Sequence, residues 1–259
     1  MSRSTRTRTI SNLVAETSKK TELPDVDTPA GEDAPVVASP LEHETARRML
    51  EIAERLFAEQ GIEQVPLRQI VVEAGQRNRS ALHYHFGSRE ALVGHLINYR
   101  MDHVNALRER YLDEVEAEGK GGDVRSIVRA SVRALADTIQ ETDWGPFYVQ
   151  VLAQAMFSPS LANPDVIEQR VIRGVVRVRL LLRAAMPVLP QSVLEYRLLW
   201  INQGVVFSLA TWYQQTRGEE GPPPVEELSD FYTAALCGPD TTSNVTTGAS
   251  SSPGRKDRA

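Results

Sequence analysis

The chain has 259 residues, a formal net charge of −5 and one cysteine, Cys237. That length can bury a full core in one large or two modest domains, a single cysteine excludes an internal disulfide and a multi-cysteine zinc site, and an acidic balance argues against a general nucleic-acid binder. No apolar run approaches the ~20 residues that span a bilayer, because Arg179 and Arg183 interrupt the richest stretch; the N-terminus has no secretory apolar core, so a cytoplasmic chain without a membrane span is expected.

Residues 1–38 are rich in Pro, Thr, Ser, Asp and Glu and carry no helical or strand period, which predicts a disordered tail. Its charge is split, with Arg3, Arg6, Arg8, Lys19 and Lys20 ahead of Glu22, Asp25, Asp27, Glu32 and Asp33; it reads either as a solvated tail or as a basic arm for a DNA groove. Ser39-Pro40-Leu41-Glu42 forms a capping box, and Ala46, Met49, Leu50, Ala53, Leu56 and Phe57 follow at helical spacing up to Gly61. Glu44 with Arg48, and Glu51 with Arg55, are expected i,i+4 pairs.

Pro66 starts a second helix, and residues 67–90 then read as two short helices meeting at Gly75. Ile70, Val71 and Ala74 form one apolar edge and Ala81, Leu82 and Phe86 the other, with the polar tetrad Gln76, Arg77, Asn78 and Arg79 between them. Glycine tolerates a positive φ at the end of the first helix and Asn78 can cap the second, which is what a helix-turn-helix requires. The second helix presents Arg79, Ser80, His83 and Tyr84 outward. Between residues 64 and 89, Arg68, Arg77, Arg79 and Arg89 stand against Glu73 alone, a local basicity suited to meeting phosphate on one face.

Gly87 breaks that helix and Ser88 caps a longer one over about 89–116, followed by a flexible connector at 118–122. Val124, Ile127, Val128, Val132, Leu135, Ala136 and Ile139 make a clean helical stripe. Further helices are predicted over about 146–157, 165–185, 191–217 and 226–236, separated by prolines and glycines. No stretch alternates as a strand would, so the fold class is all-α: a three-helix helix-turn-helix domain (39–88), a larger helical domain (89–237) and a disordered tail (238–259). Residues 198–213 are apolar nearly all round and must be covered on more than one face. With the basic helix that carries Arg170, Arg173, Arg177, Arg179 and Arg183, and with residues 226–236, they form a candidate intersubunit bundle.

Residues 45–92 resemble the tetracycline-repressor (TetR) family of bacterial transcription regulators, through Met49-Leu50, Ala53, Leu56-Phe57 and Gly61 and then Ile70, Ala74-Gly75, Ala81-Leu82, His85-Phe86, Ser88 and Arg89-Glu90. The sequence departs from the family pattern in three places. Gln76 and Arg77 stand where one residue usually separates the glycine from the cap, Pro66 replaces a hydroxyl residue, and His83 replaces the tyrosine of a Leu-Tyr-x-His-Phe sequence, with Tyr84 beside it. The resemblance implies a homodimeric, ligand-responsive regulator, a repressor in the first instance, that binds a double-stranded pseudopalindromic operator and a small-molecule effector of unread identity. The rival reading is a helical carrier of small molecules or lipids without DNA function.

The DNA-binding candidates are Arg68, Gln76, Arg77, Asn78, Arg79, Ser80, His83, Tyr84 and Arg89. Arginine can grip guanine bidentately or hold phosphate, and Asn, Ser, His and Tyr can reach backbone or base edges; Arg89 matches the family's Lys at the start of the fourth helix and would hold phosphate. The ligand candidates are Tyr99, His103, Trp144, Phe147, Tyr148, Met156, Asn202 and Gln203, side chains with a polar handle or adaptable shape amid apolar surface, concentrated where Gly145-Pro146 breaks a helix. His83, His85, His95 and His103 invite a metal reading, but the i,i+2 pair points to different sides of a helix and has no Cys or acidic partner. No metal and no cofactor are expected. There is no nucleophile elbow, phosphate loop or paired carboxylate, so no enzyme is expected either.

Overall fold

In a computed structural model, residues 44–78, 80–158 and 169–240 are described. The N-terminal tail with the capping box at 39–42, Arg79, the start of the helix expected over 165–185 and residues 241–259 lie outside them. Among the described residues the regular elements are all α-helices: α1 (Glu44–Gln60), α2 (Leu67–Glu73), α3 (Ala81–Phe86), α4 (Arg89–Ala117), α5 (Val124–Glu141), α6 (Gly145–Phe157), α7 (Gln169–Ala185), α8 (Gln191–Thr216) and α9 (Val225–Cys237).

The expected stripe of α1 is buried at every position named for it, Ala46, Met49, Leu50, Ala53, Leu56 and Phe57. It packs on α2 and α3 on one side and on α6 on the other. Buried Leu92, Val93 and Leu96 carry the same apolar core into α4, so the small N-terminal unit and the larger body share one continuous interior. α4 contacts α5, α6 and α7, while α8 and α9 close the far side against α5 and α6.

The charged pairs differ from the expectation. Arg55 bonds Glu59 at 3.4 Å and Glu73 at 2.7 Å, tying α1 to α2 instead of pairing with Glu51. On α7, Arg177 reaches Glu109, Asp113 and Glu116 on the acidic end of α4, which explains why a basic helix sits there. Arg125 and Arg129 on α5 hold Glu226 and Asp230 on α9. Such exposed pairs fix orientation more than they stabilise. Arg197 donates to the Leu236 and Gly238 carbonyls, each at 2.6 Å, and to the Pro239 carbonyl at 2.8 Å. The expected tail from 238 is therefore held in place through Pro239.

The most buried ion pair among the described residues sits between the two halves. Glu54 of α1 receives Arg100 of α4 through Nε at 3.1 and 3.0 Å and Nη2 at 2.6 Å. The guanidinium also lies 4.7 Å from the Tyr99 ring centroid and 4.3 Å from that of Trp144. Burial holds the Glu54 carboxyl above its usual range, although Arg100 opposes the shift.

α8 is covered on one side only. Leu194, Val205, Val206, Leu209 and Ala210 are buried, whereas Tyr196, Trp200 and Phe207 are more than half exposed. Tyr196 and Trp200 stack on each other with centroids 6.3 Å apart.

Candidate nucleic-acid interface

The turn between α2 and α3 is built by backbone chemistry. Gly75 takes φ +72°; its N–H donates to Val72 O at 2.9 Å and that of Gln76 to Val71 O at 3.0 Å, the paired bonds that close a helix through a left-handed residue. Asn78 Oδ1 then accepts the Ser80 N–H at 3.0 Å and Asn78 O accepts that of Ala81 at 3.1 Å. Asn78 thus caps the lead-in to α3, and Ser80, which flanks the helix, makes no side-chain cap. Ala81, Leu82 and Phe86 anchor the inner face of α3 in the core.

The outer face is polar and open. Tyr84 is 83% exposed, its ring edge-on to His85 at 5.1 Å, and Arg68, Arg77, Asn78, Ser80 and His83 are exposed around it, with Gln76 half-buried. An exposed tyrosine amid donors costs hydration in the free protein and has aromatic surface and a hydroxyl to offer a groove. His83 folds back: its Nδ1 bonds the Gly87 carbonyl, which satisfies the end of α3 and leaves Nε2 as the atom free to point outward.

Arg89, expected to hold phosphate, is bonded inward to the protein backbone. Its Nη1 donates to the Ile62 carbonyl and, at 2.9 Å, to the Val65 carbonyl; its guanidinium lies 5.9 Å from the Phe57 ring, and its side chain is 19% exposed. It staples the α1–α2 turn to the start of α4 because two carbonyls left over from that turn need donors. Ser88 caps α4 as expected, accepting from Ala91 N–H at 3.1 Å. Arg89→Ala is expected to lower unfolding free energy by about 1.5–3 kcal/mol and to leave the salt dependence of DNA binding unchanged; a drop of ~0.9 in the log–log salt slope would return Arg89 to phosphate.

The ligand candidates divide. Trp144 lies 5.3 Å from His103 and 5.9 Å from Tyr148, both edge-to-face, and Tyr99 and Trp144 cover the Arg100 guanidinium. Phe147, Asn202 and Gln203 are half-buried and Met156 is buried, apart from that cluster. A cleft of about 430 Å³ opens elsewhere, between the end of α1, α6 and α8, lined by Gly61, Gln150, Gln154, Phe157, Phe207 and Gln214 among others, and by none of the eight candidates. At its floor Gln154 accepts the Ile62 N–H at 2.9 Å and donates to Phe57 O at 3.1 Å, a second strap from α6 to α1. The expectation passed over the polar residues buried on the inner face of α4, Asn98, Asn105 and Arg108. With Met101 and Leu112 they fall at alternating spacings of three and four, a signal present in the sequence but obscured by their polarity.

Among the described residues no group of three or more His, Cys, Asp or Glu is placed to hold a metal ion, and no described helix is long and apolar enough to cross a membrane.

A short helix anchored by its apolar face, led in by a glycine turn and exposing Tyr84 among donors, on an all-helical body, defines a helix-turn-helix DNA-binding protein. Residues 49–96 match the family of bacterial regulatory proteins, tetR family, over its N-terminal domain. Residues 49–96 thus carry a DNA-binding domain of the tetR type, and the chain is a DNA-binding transcriptional regulator. Among solved structures, the TetR family transcriptional regulator PfmR from Thermus thermophilus is similar, with 21% identity and a TM-score of 0.45 over 74% of this chain and 96% of that one. No curated protein matches.

Proposed function

We propose that the protein acts as a homodimeric, ligand-responsive repressor in the cytoplasm, not as an enzyme, with residues 39–88 as the DNA-binding domain and 89–237 as the ligand-binding and dimerisation domain. The observation that carries the DNA half is the exposed outer face of α3 around Tyr84. Arg77, Asn78, Ser80, Tyr84 and Arg79 reach the operator, Arg68 and Gln76 flank them, and Nε2 of His83 is available to a phosphate. Two such helices enter successive major grooves, with half-sites about 34–36 Å apart or a multiple of this. Selection of bound sequences from a random DNA pool by the purified chain tests the reading. A palindromic consensus is expected, and absence of enrichment would favour the rival carrier. Arg79→Ala is expected to weaken operator binding by ~1–3 kcal/mol at fixed salt with the dimer intact.

The dimer half is supported by the uncovered face of α8. Stacked Tyr196 and Trp200, with Phe207 two turns on, present aromatic surface that a second α8 would bury. Trp200→Glu is expected to shift the protein to monomer in sedimentation experiments and to reduce operator affinity with it. A dimer unaffected by that change would move the interface elsewhere.

A further inference from the structure

Arg108 stands on the inner face of α4, 6% exposed, with no ion-pair partner among the described residues. Its Nη1 donates to Asn105 Oδ1 at 2.6 Å, and its Nε has no acceptor among the described residues. The chain does not lack carboxylates for its arginines: Arg177, one helix away, takes three, among them Glu109, the residue next to Arg108. Burial pushes the Arg108 guanidinium down to about 10, still charged at neutral pH, against the raising influence of Tyr148 and Glu109.

Tyr148 is completely buried on α6, and its hydroxyl makes one hydrogen bond, a weak one to Met101 Sδ at 3.9 Å. Met101 precedes Arg108 by seven residues, two helical turns, and so shares its side of α4. Across from them Gly174 lets α7 approach these side chains closely: a Cβ there would lie 2.6 Å from Asn105 Oδ1 and 3.2 Å from Arg108 Nη1. Neighbouring turns of α4 and α7 bury Val104, Val178 and Leu182. The junction of α4, α6 and α7 therefore holds one cation with an unused donor and one poorly partnered hydroxyl in otherwise apolar packing.

An unpaired buried guanidinium costs several kcal/mol, and an anion arriving from outside would offset that cost. We propose that the effector is an organic monocarboxylate with an apolar body, its carboxylate held by Arg108 Nε and the Tyr148 hydroxyl. A single negative charge on two coplanar oxygens matches one guanidinium edge and one O–H, whereas a phosphate dianion needs more donors than this junction supplies. The proposal rests on the ligand-responsive reading above and names the ligand's class.

The test uses the full chain with sodium octanoate, decanoate and phenylacetate, each beside its neutral amide, read by calorimetric titration and thermal unfolding. At least one carboxylate is expected to bind and raise the Tm while its amide does not. Arg108→Met is expected to weaken that carboxylate at least about tenfold and Tyr148→Phe severalfold, and unliganded R108M should melt at or above the parent temperature because a buried charge has been removed. Equal binding of acid and amide, undiminished binding by R108M, failure of R108M to fold, or binding by none of the three acids overturns the proposal. Carboxylate binding that leaves operator affinity unaltered keeps this site and overturns ligand-responsive regulation; release of operator by a neutral ligand alone does the reverse.

Discussion

Glu54→Ala is expected to destabilise the protein by about 3–5 kcal/mol, because it strands the Arg100 guanidinium in a buried site. Glu54 is 1% and Arg100 7% exposed, so water cannot replace the lost acceptor. The Tyr99 and Trp144 rings hold the cation but contribute only ~0.5–2 kcal/mol. For a domain stable by ~5–15 kcal/mol this is a large fraction. The double variant Glu54→Leu with Arg100→Met should recover most of the loss, since an apolar pair of similar volume is often neutral or better. Urea unfolding of the single and double variants is the measurement, and a single-variant cost under about 1 kcal/mol would mean that the pair is solvated.

The same pair has a pH signature. Since burial raises the folded carboxyl above its unfolded value, the native state retains a proton that the unfolded chain has released between the two. This group's contribution is complete below the unfolded pKa and is lost as pH rises through the folded one. In Glu54→Gln that part of the pH dependence should vanish.

The pair's position also bears on regulation. Glu54 belongs to the helix that backs α2 and α3, Arg100 to the helix that runs on to Arg108, and Trp144 to the entrance of α6. Tyr148 feels charge from both Arg108 and the Glu54–Arg100 pair. An anion arriving at Arg108 would alter the field on a group that already senses the tie to α1.

What the sequence revealed and what it hid divide by range. The stripe of α1, the glycine turn at Gly75 and the Ser88 cap follow from neighbours within a few residues, and each was legible. Arg89 and Arg100 were not. Both are arginines on one helix, yet one meets carbonyls at Ile62 and Val65 and the other a carboxylate at Glu54, and nothing local distinguishes either from an arginine bound for DNA. The α4 interior stayed hidden for a different reason: Asn98, Asn105 and Arg108 occupy core positions, so a search for apolar periodicity passes over them. The aromatic residues at Trp144 stand out in the sequence as ligand candidates, but that Trp144 lies against Arg100 follows only from the tertiary fold.

Gly145→Ala is expected to cost about 3 kcal/mol, and with it a fall in Tm on the order of 10 °C for a chain of this size. A Cβ at this position would lie 2.1 Å from Thr138 O, 2.7 Å from Thr138 C and 2.8 Å from Ile139 Cα. All three are backbone atoms of α5, so no side chain can swing aside; α6 must move, or α5 must open its last turns. Thr142 links the two, donating through Oγ1 to Thr138 O at 2.8 Å and accepting the Gly145 N–H at 2.9 Å, so displacing the glycine also breaks the bond that starts α6. That helix carries Tyr148 toward Arg108 and Gln154 toward the end of α1, and a shift at its entrance reaches the DNA-binding unit through both. Thermal unfolding and operator affinity should therefore fall together in this variant. Gly204→Ala provides the contrast: its Cβ would meet only the ring and hydroxyl of Tyr232, at 2.5 to 2.9 Å, a side chain that can give way between α8 and α9, so stability should fall less and operator affinity only as far as the dimer is weakened. If Gly145→Ala melts within a degree of the parent, the close approach of α6 to α5 is not what positions the aromatic cluster.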